Sequence, residues 1–159
     1  MPATHEAAAR GAANGNGAML GFDIGTRVIG VAVGNRLLGT ARAVATLRNR
    51  DGTPDWSVLD SLVREWQPQA FVVGLPLTLD GSEQHMTAVA RAFAAALEAR
   101  YAKPVHSVDE RYTSRAATDR FAARRAHGVA RRKHAQAIDA IAAEVILEAW
   151  FAEAADGAR

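Results

Sequence analysis

Met19-Leu20-Gly21-Phe22-Asp23-Ile24-Gly25-Thr26-Arg27-Val28-Ile29-Gly30-Val31-Ala32-Val33-Gly34 is the stretch whose reading decides the fold. Successive side chains of a β-strand point to opposite faces. Leu20, Phe22 and Ile24 then face a core, while Gly21, Asp23 and Gly25 face the other way. A carboxylate therefore stands on a strand face whose neighbours carry no side chains. An ionised carboxylate in that position is costly unless its charge is compensated. The glycine floor is expected to leave room for the compensating group, a hydrated cation or a phosphate with its metal. Gly25-Thr26-Arg27 reads as a tight turn into a second apolar strand, so the stretch is a hairpin presenting an acid at the edge of a sheet. Taken alone, G-x-D-x-G is equally the signature of a turn-forming Asp, and the rest of the chain has to decide.

Working outward, strands are expected at 18–25, 28–34 and 39–47, with Arg48-Asn49-Arg50-Asp51-Gly52 as a loop. Pro54 fits a first helical turn. Val58, Leu59, Leu62, Val63 and Trp66 recur at helical spacing, which predicts a helix over 54–66. Ala70-Phe71-Val72-Val73-Gly74 is short and uniformly apolar, as a buried parallel strand is. Ser82 is the expected N-cap of a helix running to Arg100. Val105-His106-Ser107-Val108 gives a fifth strand that ends at Asp109-Glu110. Thr113 is the expected cap of a helix to about 127, and a last helix is expected over 133–154. The class is α/β: a mixed five-stranded sheet, its first three strands antiparallel and its later strands parallel, flanked by helices. In such sheets sites form outside the carboxyl ends of the strands, which sets Asp23, the loop after Gly74 and Glu110 near one edge.

The chain has 159 residues, 49% of them hydrophobic and 23% charged, enough for one well-formed core. Residues 1–17 are expected as a disordered leader rather than a secretory signal, since they carry no continuous apolar run. Residues 18–154 form the expected domain and 155–159 a flexible tail. Without cysteine there is neither a disulfide framework nor a thiolate chemistry. No apolar run approaches the roughly 20 residues that cross a bilayer, so a cytoplasmic protein without a membrane partner is expected. The net charge of +2 hides an asymmetry. Arg111, Arg115, Arg120, Arg124, Arg125, Arg131, Arg132 and Lys133 stand in one segment against the single acid Asp119, so that segment carries +7 and the rest of the chain −5. A charge run is commonly a solvated face. Its concentration just after Asp109-Glu110 points instead to a polyanion.

Asp139 is the second acid in an unexpected place. Its helical neighbours at i−4, i+3, i+4 and i+7 are Ala135, Ala142, Ala143 and Ile146, so it lies on or beside the apolar stripe and away from the face of Glu144 and Glu148. The small alanines are expected to let the helix approach the sheet and set Asp139 opposite Asp23. By alternation one of Asp109 and Glu110 should point towards Asp23, and the longer arm of Glu110 makes it the choice. Three acids from a first strand, a late strand and the last helix are what one or two hard divalent cations need, and such ions serve phosphodiester hydrolysis. His106, His127 and His134 show no ligand spacing. Tyr112 and Phe121 are too few for a base-stacking platform, which favours recognition of backbone and shape.

Four stretches resemble one known family. Gly21-Phe22-Asp23-Ile24-Gly25-Thr26-Arg27-Val28-Ile29-Gly30-Val31-Ala32 is similar to its opening motif. Val73-Gly74-Leu75-Pro76-Leu77 with Asp80-Gly81-Ser82 is similar to its central loop. Asp109-Glu110-Arg111 and Ile138-Asp139-Ala140-Ile141-Ala142-Ala143 are similar to its last two motifs. The family is the YqgF/RuvX group, Holliday-junction-resolvase-like proteins also called "putative pre-16S rRNA nucleases", and the likeness spans roughly residues 18–153. It implies an RNase H-like fold, Mg²⁺- or Mn²⁺-dependent endonucleolytic cleavage, and maturation of the 5′ end of small-subunit ribosomal RNA. It sets Asp23, Glu110 and Asp139 at the acidic, metal-holding positions. The expected partner is structured RNA, or branched DNA, held by Arg27, Arg111, Arg115, Arg124, Arg125, Arg131, Arg132 and Lys133. The expected state is a monomer or weak homodimer. RNase H-like nucleases commonly carry a further acid on the strand equivalent to Ala70–Gly74. Here that strand has none, so Asp109 or Glu110 must take its place. Two other readings of the opening hairpin remain. A sugar-kinase-like phosphotransferase would need a second Gly-rich phosphate loop and an adenosine pocket, neither of which is visible. A non-catalytic RNA-binding or transcription-associated factor on the same fold, or a Holliday junction resolvase, keeps every feature above.

Overall fold

A computed structural model describes residues 17–50, 53–78, 80–110 and 134–157, together with positions 119 and 123. The strands are β1 (Ala18–Ile24), β2 (Val28–Asn35), β3 (Thr40–Arg50), β4 (Thr53–Pro54), β5 (Ala70–Leu75) and β6 (Val105–Asp109); the helices are α1 (Trp56–Trp66), α2 (His85–Tyr101) and α3 (His134–Gly157). They form one sheet in the order β4-β3-β2-β1-β5-β6. β1, β2 and β3 pair antiparallel, whereas β1–β5 and β5–β6 pair parallel, as the alternation of strands and helices implies. The sheet has six strands, one more than the pattern predicts.

The sixth strand is the two-residue β4. Arg48-Asn49-Arg50 does not loop but prolongs β3, and Asn49 and Arg50 pair with Pro54 and Thr53. Pro54 is therefore an edge-strand residue, a place that tolerates its missing N–H, rather than the first turn of a helix. α1 starts two residues later, where Asp55 caps it by accepting from Val58 N. Ser82 caps no helix either. It accepts and donates within a turn with Thr78 and Asp80. α2 begins at His85, where Gln84 N donates to Thr87 Oγ1 at 3.0 Å and the buried Thr87 hydroxyl donates to Pro76 O. The expected helix over 113–127 and all but one residue of the leader 1–17 lie outside the described residues, save Asp119 and Ala123, which are helical and exposed. Among the described residues no helix is long and apolar enough to cross a membrane.

Each face of the sheet buries its own core. Leu20, Phe22, Ile24, Ile29, Val31, Phe71 and Val73 meet Leu59 and Leu62 of α1 and Ala90, Phe93 and Leu97 of α2. Phe22 meets Phe93 edge-on at 5.2 Å between ring centres. Burial of side chains of this size stabilises by about 1.5–3 kcal/mol each. On the other face Met19, Ala32, Ala70 and Val72 pack against Ala143, Ile146, Leu147 and Phe151 of α3. The residues that face α3 are small because the helix lies close. A Cβ at Gly21 would stand 2.9 Å from Leu147 Cβ, and one at Gly34 2.7 Å from the Phe151 ring. This corrects the reading of the glycine floor. Gly21 makes room for α3 and not for a cation, and Gly25 lies against Val28 O in its own turn. Glu144 is 2% exposed and accepts from Ala43 N at 2.7 Å, and the half-buried Glu148 accepts from Ala41 N, so both glutamates meet β3. The pairing of β2 with β3 slips between Val31 and Ala32. At such an irregularity the ladder is broken, and a carboxylate beside it gives a strand N–H an acceptor.

Candidate active site

β1, β5 and β6 run parallel, so their carboxyl ends share one edge. Phe22 is level with Val73, and Gly74 with Val108. Asp23 is the next residue of β1, half-buried on the α3 face; Glu110 is the first residue beyond β6. Gly74 stands between them. A Cβ at Gly74 would collide with Glu110 Oε1, so the side chain of Glu110 lies across the position where a strand acid would project. The missing acid on β5 and the presence of Glu110 are thus one fact: the glycine admits the longer carboxylate from the neighbouring strand.

Asp139 arrives from the opposite layer. Asp23 is directly paired with Gly30. A Cβ on Gly30 would strike the Asp139 carbonyl and come within 2.7 Å of Ala140 N. The first described turns of α3 therefore rest on bare backbone beside Asp23. In sequence terms the signal was Gly30, a glycine inside an apolar strand, which marks close approach of another backbone.

The three carboxyl groups are joined by hydrogen bonds through Asp23, which interacts with both Glu110 and Asp139. Burial raises the Asp23 pKa above the ordinary carboxylate value, and the two hydrogen bonds it accepts work against that rise. Glu110 is pushed up to about 9 by burial and by the adjacent charges of Asp23 and Asp109. Asp139 is pushed up to about 6, again by burial first and then by Asp23. Asp23 is accordingly the shared acceptor, and the protonated forms of Glu110 and, less strongly, Asp139 are favoured beside it. Like charges this close cannot all ionise without a compensating cation.

An all-oxygen, three-carboxylate set is the donor chemistry of a hard divalent ion. As the side chains stand they form a chain centred on Asp23, and among the described residues no three His, Asp or Glu are arranged to hold a metal. A divalent cation would have to draw the three carboxyls around itself and displace any proton they share. The residues fit such an ion in charge and chemistry once those protons leave.

Around this edge the described basic residues are Arg27, exposed in the β1–β2 turn, and Arg48 and Arg50, exposed on β3. Val28 pairs with Arg48, and Asn49 N donates to Arg27 O at 2.8 Å, so β3 runs beside the turn that carries Arg27. Arg48 and Arg50 went unread because Arg-Asn-Arg-Asp-Gly has turn composition. The strand period was nonetheless present, with Leu47 and Asn49 inward and Arg48 and Arg50 outward. Arg111, Arg115, Arg124, Arg125, Arg131, Arg132 and Lys133 lie outside the described residues. His106 stacks on Trp150 at 4.7 Å.

Three comparisons bear on this site. The model of a family described as "RuvX: Holliday junction resolvase" matches residues 17–153. A protein of Xanthomonas axonopodis pv. citri named "Putative pre-16S rRNA nuclease" is 50% identical over 142 residues, 89% of this chain and 92% of its own. One of the same name from Xylella fastidiosa is 51% identical over 138 residues, 87% and 89% of the two chains. Among solved structures, Thermus thermophilus RuvC in complex with a Holliday junction substrate matches with a TM-score of 0.50 at 17% identity, over 86% of this chain and 95% of its own. The fowlpox virus resolvase in complex with Holliday junction DNA matches with a TM-score of 0.56 at 13% identity, over 86% and 98%. At those identities the structural matches establish a shared RNase H-like resolvase fold.

Proposed function

This chain belongs to the RuvX family of Holliday junction resolvases, and on that premise we propose that it is a divalent-cation-dependent endonuclease that trims the 5′ end of pre-16S rRNA in the cytoplasm. The observation that carries this reading is the cluster of Asp23, Glu110 and Asp139 at the carboxyl edge of the sheet. The names borne by relatives at about half identity supply the substrate.

Asp23, Glu110 and Asp139 would hold Mg²⁺ or Mn²⁺, which when bound neutralises phosphate charge and activates water for phosphodiester hydrolysis. Asp23 pairs with Gly30 near the end of β1, a strand flanked by β2 and β5. Gly74 and Gly30 keep Glu110 and Asp139 within its reach. Arg27, at the turn next to Asp23, is placed to hold the backbone phosphate beside the scissile one. The basic run from Arg111 to Lys133 is assigned to the more distant backbone, where positive charge contributes affinity without reading sequence.

The test is cleavage of a pre-16S transcript and of a four-way DNA junction, each with Mg²⁺ or Mn²⁺ and each with EDTA. Asp23→Asn keeps shape and removes charge, and should lower the cleavage rate by orders of magnitude while the fold persists. Full Mg²⁺-dependent activity in Asp23→Asn would refute the catalytic reading. Preference for the junction over the transcript would move the function to resolution of branched DNA. Binding without cleavage in any metal would make the protein a non-catalytic RNA-binding factor.

A further inference from the structure

We propose that a cavity on the far side of β1 from Asp23 is a nucleotide subsite, taking one unstacked base of the bound nucleic acid while Arg48 and Arg50 hold that nucleotide's phosphates. The proposal rests on the nuclease reading, which supplies the strand that enters it. The cavity measures about 320 Å³ and is lined by Ile24, Asn49, Pro54, Trp56, Phe93 and Ala96 among others. That lies at the small end of the roughly 300–1,000 Å³ typical of ligand sites, room for a single ring system. Trp56 and Phe93 present stacked rings, 5.9 Å apart and only 10° from parallel. The Arg100 guanidinium lies 5.0 Å over the same Trp56 ring, and a base entering the slot would meet the rings beside that stack, a contact tolerant of base identity.

The polar contact is equally specific. Asn49 is 5% exposed, and its Nδ2 donates to Gly25 O at 2.9 Å, which fixes the orientation of the amide. Its Oδ1 is left as a buried acceptor without a hydrogen-bond partner among the described residues. Buried acceptors are nearly always paired, so an N–H belongs here, and nucleobase edges carry one. A second hollow, of about 460 Å³, adjoins the first through Thr53 and Pro54 and is lined by Arg48 and Arg50 with Asp55. Asp55 Oδ1 accepts from Ser57 and Val58 and its charge is partly met by Arg48, so one carboxylate stands against the two guanidinium groups of this hollow. An apolar slot with one acceptor, beside a pair of arginines, matches a base and its phosphate. It does not match a peptide or a lipid. Ile24, in the lining, directly follows Asp23 in β1 and points to the opposite face, so the cavity adjoins the strand end that carries the acid.

The test is an NMR titration of ¹⁵N-labelled full chain in EDTA with AMP, GMP, CMP and UMP, and with ribose 5-phosphate as the arm for phosphate alone. The chain has three tryptophans, hence three indole signals. The Trp56 indole and the Asn49 amide should shift saturably, with a midpoint on the order of 1 mM, while Trp66 and Trp150 stay in place. Ala96→Phe, which fills the slot, should abolish those shifts with the Trp66 and Trp150 signals unmoved. Should that variant fail to fold, the surface double variant Arg48→Gln/Arg50→Gln should weaken all four nucleotides alike. Silence of Trp56 towards every nucleotide, or equal shifts from ribose 5-phosphate, overturns the proposal. Because Asp23→Asn protein should still show the Trp56 shift, loss of cleavage and loss of base binding are read separately.

Discussion

Replacing Gly30 by alanine tests whether the contact between β2 and α3 is what places Asp139. The added Cβ would strike the Asp139 carbonyl and lie 2.7 Å from Ala140 N, whereas ordinary contact begins near 3.4 Å. Both obstacles are helix backbone, so no side chain can rotate away and α3 itself must retreat, by on the order of 1 Å. Overpacking of a well-filled core costs about 1–3 kcal/mol. For a chain of this size that is a fall of roughly 2–4 °C in Tm per kcal/mol. The retreat also draws Asp139 from Asp23, and a misplacement of about 1 Å can cost on the order of 100-fold in rate. The assay is kcat at saturating Mg²⁺ on one substrate, with thermal unfolding of the same preparation. Gly39→Ala is the control. Gly39 has φ of 71° and open space around it, so alanine there costs backbone strain, about 1–2 kcal/mol, and should leave cleavage intact. A Gly30→Ala protein that melts earlier but cleaves at the wild-type rate would refute the claim that this contact positions Asp139. One that loses neither stability nor activity would refute the close seating of the helix itself.

Three further outcomes follow from the same geometry. Because Asp23, Glu110 and Asp139 all have folded pKa values above their unfolded ones, the native state binds more protons over that window. The contribution of this cluster to the stability of the metal-free protein should therefore be full below about pH 4 and be lost as pH rises towards about 9, while Asp55, Asp60 and Asp80, held low by their hydrogen bonds, lose theirs on acidification; calorimetry in EDTA showing stability rising from about pH 5 to about 9 contradicts the cluster, and Mg²⁺ should flatten the fall. Glu110→Gln should abolish cleavage and metal titration, whereas Asp109→Asn should affect stability first; isothermal titration with Mg²⁺ or Mn²⁺ distinguishes them, and reversed roles would reassign the ligand. Changing Arg124, Arg125, Arg131 and Arg132 to Gln should weaken binding to every nucleic acid alike and reduce the salt slope by about 0.7–0.9 per lost phosphate contact; an unchanged slope makes the segment a solvated face.

The central hairpin was legible because period-2 alternation and two flanking glycines leave a strand few alternatives, and the parallel pairing of β5 and β6 followed from the helices between strands. The acids were legible one at a time, as charges where apolar residues were due. Their convergence on Asp23 was legible too, from the alanines beside Asp139 and the longer arm of Glu110, but alternation assigns a face and cannot say what covers it. Gly21 read as open space and is filled by Leu147. Glu144 and Glu148 read only as a face apart from the alanine stripe, with nothing to say what that face meets. α3 is covered on more than one side, by the sheet face and by β3, whose N–H groups take those carboxylates. At residues 48–50 and 53–54 local turn chemistry and strand extension conflict, and pairing with β2 and between β3 and β4 decides the matter in favour of strand. Pairing is a long-range fact, and no window of the sequence contains it.

The dependence of the site on α3 has a consequence in time. Asp139 follows Asp23 by about 116 positions, which at a synthesis rate of ~5–20 residues/s is roughly 6–23 s. Until that helix has been made and has settled over Met19, Ala32 and Val72, the nascent chain has an exposed sheet face and two of its three carboxylates. If Asp139 serves cleavage as proposed, the helix that closes the core also delivers the last acid, and competence to cut arrives with the end of folding.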